Sequence, residues 1–205
     1  MADIHLMLAG DIGFAGGQMA DGMAVVNGTT GAAVSAGSGG SFEYPDNILG
    51  VLADGAGGFV VIGRQMTGFS GMARYLDNGT LDSGFTVNIT ATFPPTAELP
   101  VGSGGIYQAI QHSTGWLVRG NFTTINGVAR NGFARLNADG SVDTSWPSPN
   151  TGFPNQIALQ AGKAIISADN TFYRVDGSGV DGTFTPTTVP YDQIANAINS
   201  IYVQP

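Results

Sequence analysis

The sequence predicts an all-β fold assembled from repeated units of about four short strands. Three observations carry this expectation. First, one pattern occurs three times: Met72 to Phe85 (MARYLDNGTLDSGF), Phe133 to Trp146 (FARLNADGSVDTSW) and Phe172 to Phe184 (FYRVDGSGVDGTF). Each copy has an Arg at its third place (Arg74, Arg135, Arg174) and a Gly five residues later (Gly79, Gly140, Gly179). An Asp follows seven or eight residues after the Arg (Asp82, Asp143, Asp181), and an aromatic three past the Asp (Phe85, Trp146, Phe184). Second, Asn27-Gly28 and Asp139-Gly140 are hairpin signals beside apolar runs, and a Gly directly after Asp139 suits a type I′ turn. Third, the equivalent strands starting at Met23, Met72, Phe133 and Phe172 lie 49, 61 and 39 residues apart. A period of roughly 40–50 residues with four short strands per unit is the signature of a β-propeller.

The elements follow in order. Asp3 to Gly10 (DIHLMLAG) is a strand apolar enough to be buried on both faces. After a Gly-rich connector, Gly22 to Asn27 matches Gly71 to Leu76, with Val25 in the Arg position. Gly31 to Gly40 is small and flexible, and this first unit lacks the Asp-aromatic close. In the second unit the strands are Ile48 to Ala53, Phe59 to Gly63, Met72 to Leu76, and a short fourth within Leu81 to Ile89. Phe93 to Gly105, with three Pro and three further Gly after Phe93, is a linker. The third unit repeats the plan: Ile106 to Gln111, Trp116 to Gly120, Gly132 to Leu136, Val142 to Trp146. The fourth is compressed: Gln156 to Gln160, Lys163 to Ala168, Thr171 to Val175, Val180 to Phe184.

Ile198 to Pro205 (INSIYVQP) reads as the opening strand of one more unit, which the N-terminal strand would continue. The expected organisation is therefore a single domain over 1–205. Its repeat units span approximately 1–45 (completed by 198–205), 46–95, 105–150 and 155–190. Ile201, Tyr202 and Val203 are the expected closure strand. They would pair with the N-terminal unit of the same chain, which removes open sheet edges, or of another copy, which builds a ring or filament.

Composition narrows the function. Charged residues are only 11% of the chain, against roughly 25% in an average soluble domain. The net charge is −8 with seven Lys and Arg, which argues against a phosphate-tracking nucleic-acid surface and against an anionic membrane. There is no Cys, so no disulfide or thiolate chemistry, and His5 and His112 are the only histidines. No apolar run approaches the roughly 20 residues of a spanning helix. The N-terminus lacks the basic, then apolar, plan of a signal peptide and is expected to be mature structure.

The phrases ARLNADGSVDTSW, ARYLDNGTLDSGF and INSIYVQP resemble the delta-60 repeat family. Its unit opens on a VQPDGK-type strand, continues through an ILVGG-type strand and a VNG-type turn, and closes on ARLNADGSLDTSF. Ile201 to Pro205, Trp116 to Gly120, Ile125 to Val128 and Ala134 to Trp146 match those parts, and the similarity covers most of 46–205. The resemblance implies a β-propeller-like repeat of large bacterial surface proteins and some phage structural proteins, and it implies no reaction.

Candidate sites are few. The Arg and Asp at matched positions would either bind an anionic sugar or carboxylate once per unit or hold the third strand to the close. Repetition in every unit favours scaffold, and a planar guanidinium suits the bidentate contact. Phe85, Trp146 and Phe184 read as plugs between units rather than sugar platforms. Tyr107 and Trp116 are the candidate ligand-facing aromatics. Asn137, Asp139, Ser141 and Asp143 alternate oxygens as a Ca²⁺ loop does, but the Gly placement and the missing bidentate Glu favour a turn. His112 beside Ser113 has no readable third partner. The Asn-x-Thr triplets at Asn27, Asn78, Asn88 and Asn121 read as turn chemistry. The expectation is a non-enzymatic structural protein of an assembly, without cofactor, most plainly a phage virion component of the tail or capsid surface. Its partners would be other subunits, including copies of itself. A carbohydrate- or receptor-binding module at an extracellular or bacterial surface is the alternative.

Overall fold

A computed structural model of the chain describes residues 5–9, 14–19, 22–36, 48–64, 70–91, 104–148, 153–168 and 171–185. Every regular element among them is a strand. The first sheet is built from β1 (His5–Ala9), a small β2 (Phe14–Ala15) and β3 (Gln18–Met19) hairpin beside it, β4 (Met23–Asn27) and β5 (Ala33–Ala36), in the order β1-β4-β5. The second runs β6 (Ile48–Ala53), β7 (Phe59–Gly63), β8 (Met72–Tyr75). β9 (Ile89–Thr90) follows it. The third has β10 (Gly105–His112), β11 (Gly115–Asn121) and β14 (Phe133–Leu136), in the order β10-β11-β14. The connector between β11 and β14 carries β12 (Thr124–Ile125) and β13 (Val128–Ala129), which form a separate small sheet with β9 in the order β13-β12-β9. The fourth is β15 (Gln156–Gln160), β16 (Lys163–Ala168), β17 (Thr171–Asp176), β18 (Gly179–Val180), in sequence order. All pairings are antiparallel.

The sheets stack face to face, and strand alternation explains how. On β7, Val60 and Ile62 pack toward the third sheet, while Val61 between them joins Met23 and Tyr75 against the first. On β11, Trp116 and Val118 face the second sheet, and Leu117 meets Phe133, Ile157, Ile166 and Val175 of the fourth interface. The central strands are therefore apolar on both faces, as a sheet inside a stack requires. The fold is all-β, in small antiparallel sheets. Among the described residues no strand pairing joins the first sheet to the last.

Several expectations change at the turns and closes. Asp139-Gly140 is not a type I′ turn: Asn137 N–H bonds the Ser141 carbonyl around a three-residue loop, and only Gly140 has φ above zero (85°). A type I′ turn needs both central residues there. That condition is met at Asn126-Gly127 (φ 48° and 75°), which joins Ile125 to Val128 in the connector. The short fourth strands of the second and third units shrink to single bridges, Tyr75 with Leu81 and Leu136 with Val142. β9, from the tail of the second unit, pairs instead with β12 of the third. The first unit, expected to be flexible past Gly31, has a four-residue strand at Ala33–Ala36. β1, expected to be buried on both faces, exposes Leu6 (48%) and Leu8 (39%), because only its Met7 and Ala9 face packs on the second sheet. Ile201, Tyr202 and Val203 lie outside the described residues, as does most of the 93–105 linker.

Candidate functional site

The repeated Arg and Asp come together in all three units. Arg74 Nε donates to Asp82 Oδ2 at 2.7 Å, Arg135 Nη1 to Asp143 Oδ2 at 3.0 Å, and Arg174 Nε to Asp181 Oδ2 at 2.8 Å. Backbone geometry dictates the meeting. In each unit the Asp N–H bonds the Arg carbonyl, and the aromatic N–H bonds the Asp carbonyl. The carboxylate then divides its oxygens. Oδ1 accepts the N–H two residues on (Gly84, Ser145, Thr183), while Oδ2 faces the guanidinium. Each Asp thus ties its turn to its strand, which a single backbone bridge would hold only weakly.

Electrostatics follow the bonding. Asp82 is held below the usual carboxylate range by the Arg74 bond and the Gly84 N–H. Asp143 is lowered chiefly by the Ser145 hydroxyl, with Arg135 adding to it. Asp181 is lowered furthest, by Lys163, Thr183 and Arg174 together. Asp176 falls to about 2 through Ser178 and Lys163, and Asp139 is lowered by Ser141. Burial pushes Tyr75 up to about 12.

The aromatics take different neighbours. Phe85 is buried in the core between the second and third sheets, and the Arg74 guanidinium sits 5.1 Å from its ring centre. Phe184 has the same relation to Arg174, also at 5.1 Å. Trp146 is buried between the third and fourth sheets and meets His112 edge-on. Gly140 lies so close to the second unit's tail that a Cβ would sit 2.8 Å from the Thr86 carbonyl oxygen, and its φ excludes most other residues. Gly79 adopts the same left-handed turn conformation (φ 81°), and Gly179 takes φ 131° opposite Asp176.

Trp116 is not ligand-facing. It is 3% exposed, because its register opposite Leu136 turns it into the core between the second and third sheets. Tyr107 is half-buried beside Gly105, where a Cβ would meet its ring at 2.5 Å. The oxygens of the Ca²⁺-like loop are used internally. Asp139 Oδ1 accepts the Ser141 N–H and hydroxyl, Asn137 donates to Ser141 Oγ, and Asp143 takes Ser145 and Arg135. His112 Nδ1 accepts from Arg135 Nε, so Nε2 carries the proton and donates to the Gly162 carbonyl at 3.1 Å. That places His112 as a strut between sheets.

Sequence reasoning missed the residues that stitch one sheet to the next. Asn126 Nδ2 donates to the Thr86 and Gly140 carbonyls, and its Oδ1 accepts the Asn88 N–H. Gln108 exchanges two bonds with the Ile157 backbone, at 2.9 and 3.1 Å, and Gln111 donates to the Asp54 carbonyl. His5 Nδ1 donates to Asp77 at 2.7 Å, linking the first sheet to the second. The one available signal was the asparagine of the Asn126-Gly127 turn; glutamines on a strand announce no partner.

Residues 113–145 match the family described as a domain of unknown function (DUF5122), a β-propeller. The matched stretch runs from the β10–β11 turn through the Asp143 close, which is the part of the chain where the repeat is most complete. No curated protein and no solved structure matches the chain.

Proposed function

We propose that the protein is a non-enzymatic structural component of a larger assembly, with a virion surface or tail as its setting. Its partners are other subunits, including copies of itself. The observation that carries this reading is the unfinished edge of the first sheet. Three sheets begin with an opening strand, β6, β10 or β15, ahead of their second strand. In the first sheet β1 holds the second-strand place and is itself the edge among the described strands, with Leu6 and Leu8 exposed along it. An apolar edge strand is a template for a further strand. Ile201, Tyr202 and Val203, which match an opening strand in sequence, are the segment we assign to it. The low charge content and the side-chain bonds that His5, Gln108, Gln111, His112 and Asn126 make between sheets agree with a scaffold. Of the two aromatics on which a glycan-binding reading leaned, Trp116 is buried and Tyr107 is half-buried.

Native mass of the full chain, set beside that of a chain lacking residues 199–205, tests the reading. Closure within one chain gives a full-length monomer and an unstable truncation. Exchange between copies gives an oligomer that the truncation reduces to a folded monomer. A full-length monomer whose truncation is equally stable, and which is missing from purified particles, would overturn the proposal.

A further inference from the structure

The second sheet holds a cavity of about 160 Å³ between β8 and the 81–88 segment, lined among others by Ser70, Met72, Tyr75, Asp82, Phe85 and Asn88. It exists because the closing segment makes only one bridge to β8, Tyr75 with Leu81, and then diverges. The third sheet has the same construction and shows what such a gap accepts. Gly71 and Gly132 correspond: both have φ above zero, and their carbonyls take the Gly63 and Gly120 N–H groups, each at 2.9 Å. The segments Ser70-Gly71-Met72 and Asn131-Gly132-Phe133 are therefore in register. In the third sheet the residue before this segment, Arg130, turns its guanidinium onto the close. Its Nη2 donates to the Asp143 and Trp146 carbonyls at 3.4 and 3.3 Å, and Nη1 to the Ala129 carbonyl. In the second sheet the corresponding carbonyls belong to Asp82 and Phe85, and no side chain among the described residues donates to them. The sequence carries Phe69 at the Arg130 place, a residue without a donor that lies outside the described residues.

We propose that this cavity binds the guanidinium of an arginine side chain presented by a protein partner, in the place that Arg130 fills from within the third sheet. The wall has what a guanidinium needs: the 82–85 turn that carries the Asp82 and Phe85 carbonyls, the Asn88 amide oxygen that already accepts from Ser70 at 3.1 Å, and apolar surface from Leu81, 52% exposed, for the stem. Asp82 is already paired with Arg74, so the ligand's charge is met by dipoles and by the field of a chain with net charge −8. The same field disfavours an anionic occupant. The inference rests on the assembly reading only for the source of the arginine. A free probe interrogates the cavity alone, so failure to assemble and failure to bind are separate results.

The test is a titration of the full-length protein with N-acetyl-arginine amide, followed through backbone amide NMR shifts. N-acetyl-citrulline amide serves as the uncharged isostere. Saturable shifts confined to the 70–73 and 81–88 amides are expected, with citrulline binding at least about tenfold more weakly. Ser83→Trp, at an exposed position on the cavity's rim, should abolish the response, whereas Ser83→Ala should keep it. Non-saturating shifts, an equal response to citrulline, or binding that survives Ser83→Trp would overturn the proposal. The two-probe comparison on the unaltered protein stands even if Ser83→Trp does not fold.

Discussion

Arg135 is 8% exposed and its guanidinium has five acceptors, of which Asp143 is the only carboxylate among the described residues. The lesson lies in the asymmetry of removal. Taking away Asp143 leaves a nearly buried cation without its counter-charge, at a cost near the lower end of the 3–5 kcal/mol expected for a broken buried pair, since the Asp143 side chain keeps 21% of its surface in water. Asp143→Ala should lower stability by about 3 kcal/mol and the midpoint of thermal unfolding by about 10 °C. Asp77→Ala, at a side chain 57% exposed, should cost under about 1 kcal/mol. Calorimetry of the two variants distinguishes these outcomes. The pH dependence has a fixed sign. Asp82, Asp139, Asp143, Asp176 and Asp181 all have folded values below the ordinary one. Their contribution is present above about pH 4, where the unfolded carboxylates ionise, and is lost as pH falls toward about 2, the Asp176 value. Acid titration of the circular dichroism signal should show cooperative unfolding inside that window; a structure unchanged at pH 2 would contradict it.

At the scale of single elements, the connector hairpin is the part that fastens the second sheet to the third. Its Asn126 serves two needs, a left-handed φ of 48° and three side-chain bonds to the neighbouring segments. Asn126→Ala should cost about 2–4 kcal/mol, from backbone strain together with three unmet partners. Asn126→Gly relieves only the strain and should recover about 1 kcal/mol of that loss. Urea midpoints of the pair separate the two terms, and equal midpoints would show that strain contributes nothing. The strands themselves were legible in the residues: β6 and β7 fall where apolar runs meet Gly and Asp, and the Arg, Gly and Asp spacing located each close. What could not be read was partnership. Phe85 to Ala91 alternates buried and exposed along its length, the pattern of a strand, yet its pairing partner at Thr124 and Ile125 lies more than 30 residues away. Alternation fixes two faces and says nothing of which edge is paired. Trp116 failed for a related reason: an aromatic advertises area, and only its register opposite Leu136 decides whether that area meets water or core.

For the molecule as a whole, the stack has a protected middle and, among the described strands, an open first edge. β11 is paired on both edges and packed on both faces, with Leu117 and Val118 fully buried. β1 is paired only to β4 among the described strands. In an antiparallel pair alternate residues direct their N–H groups to the partner, and the remainder point away from it. Hydrogen exchange therefore reports the missing neighbour amide by amide. If Ile201 to Val203 lies along β1, all the amides of His5–Ala9 should be slow in the full chain. In a chain ending at Ile198, alternate ones should become fast while β11 keeps its protection. Dilution separates the two sources of the strand. Protection supplied within one chain is independent of concentration, whereas protection supplied by a second copy weakens as the oligomer dissociates. Alternating fast amides already present in the full chain, at every concentration, would show that nothing pairs with this edge, and the assembly reading would lose the observation it stands on.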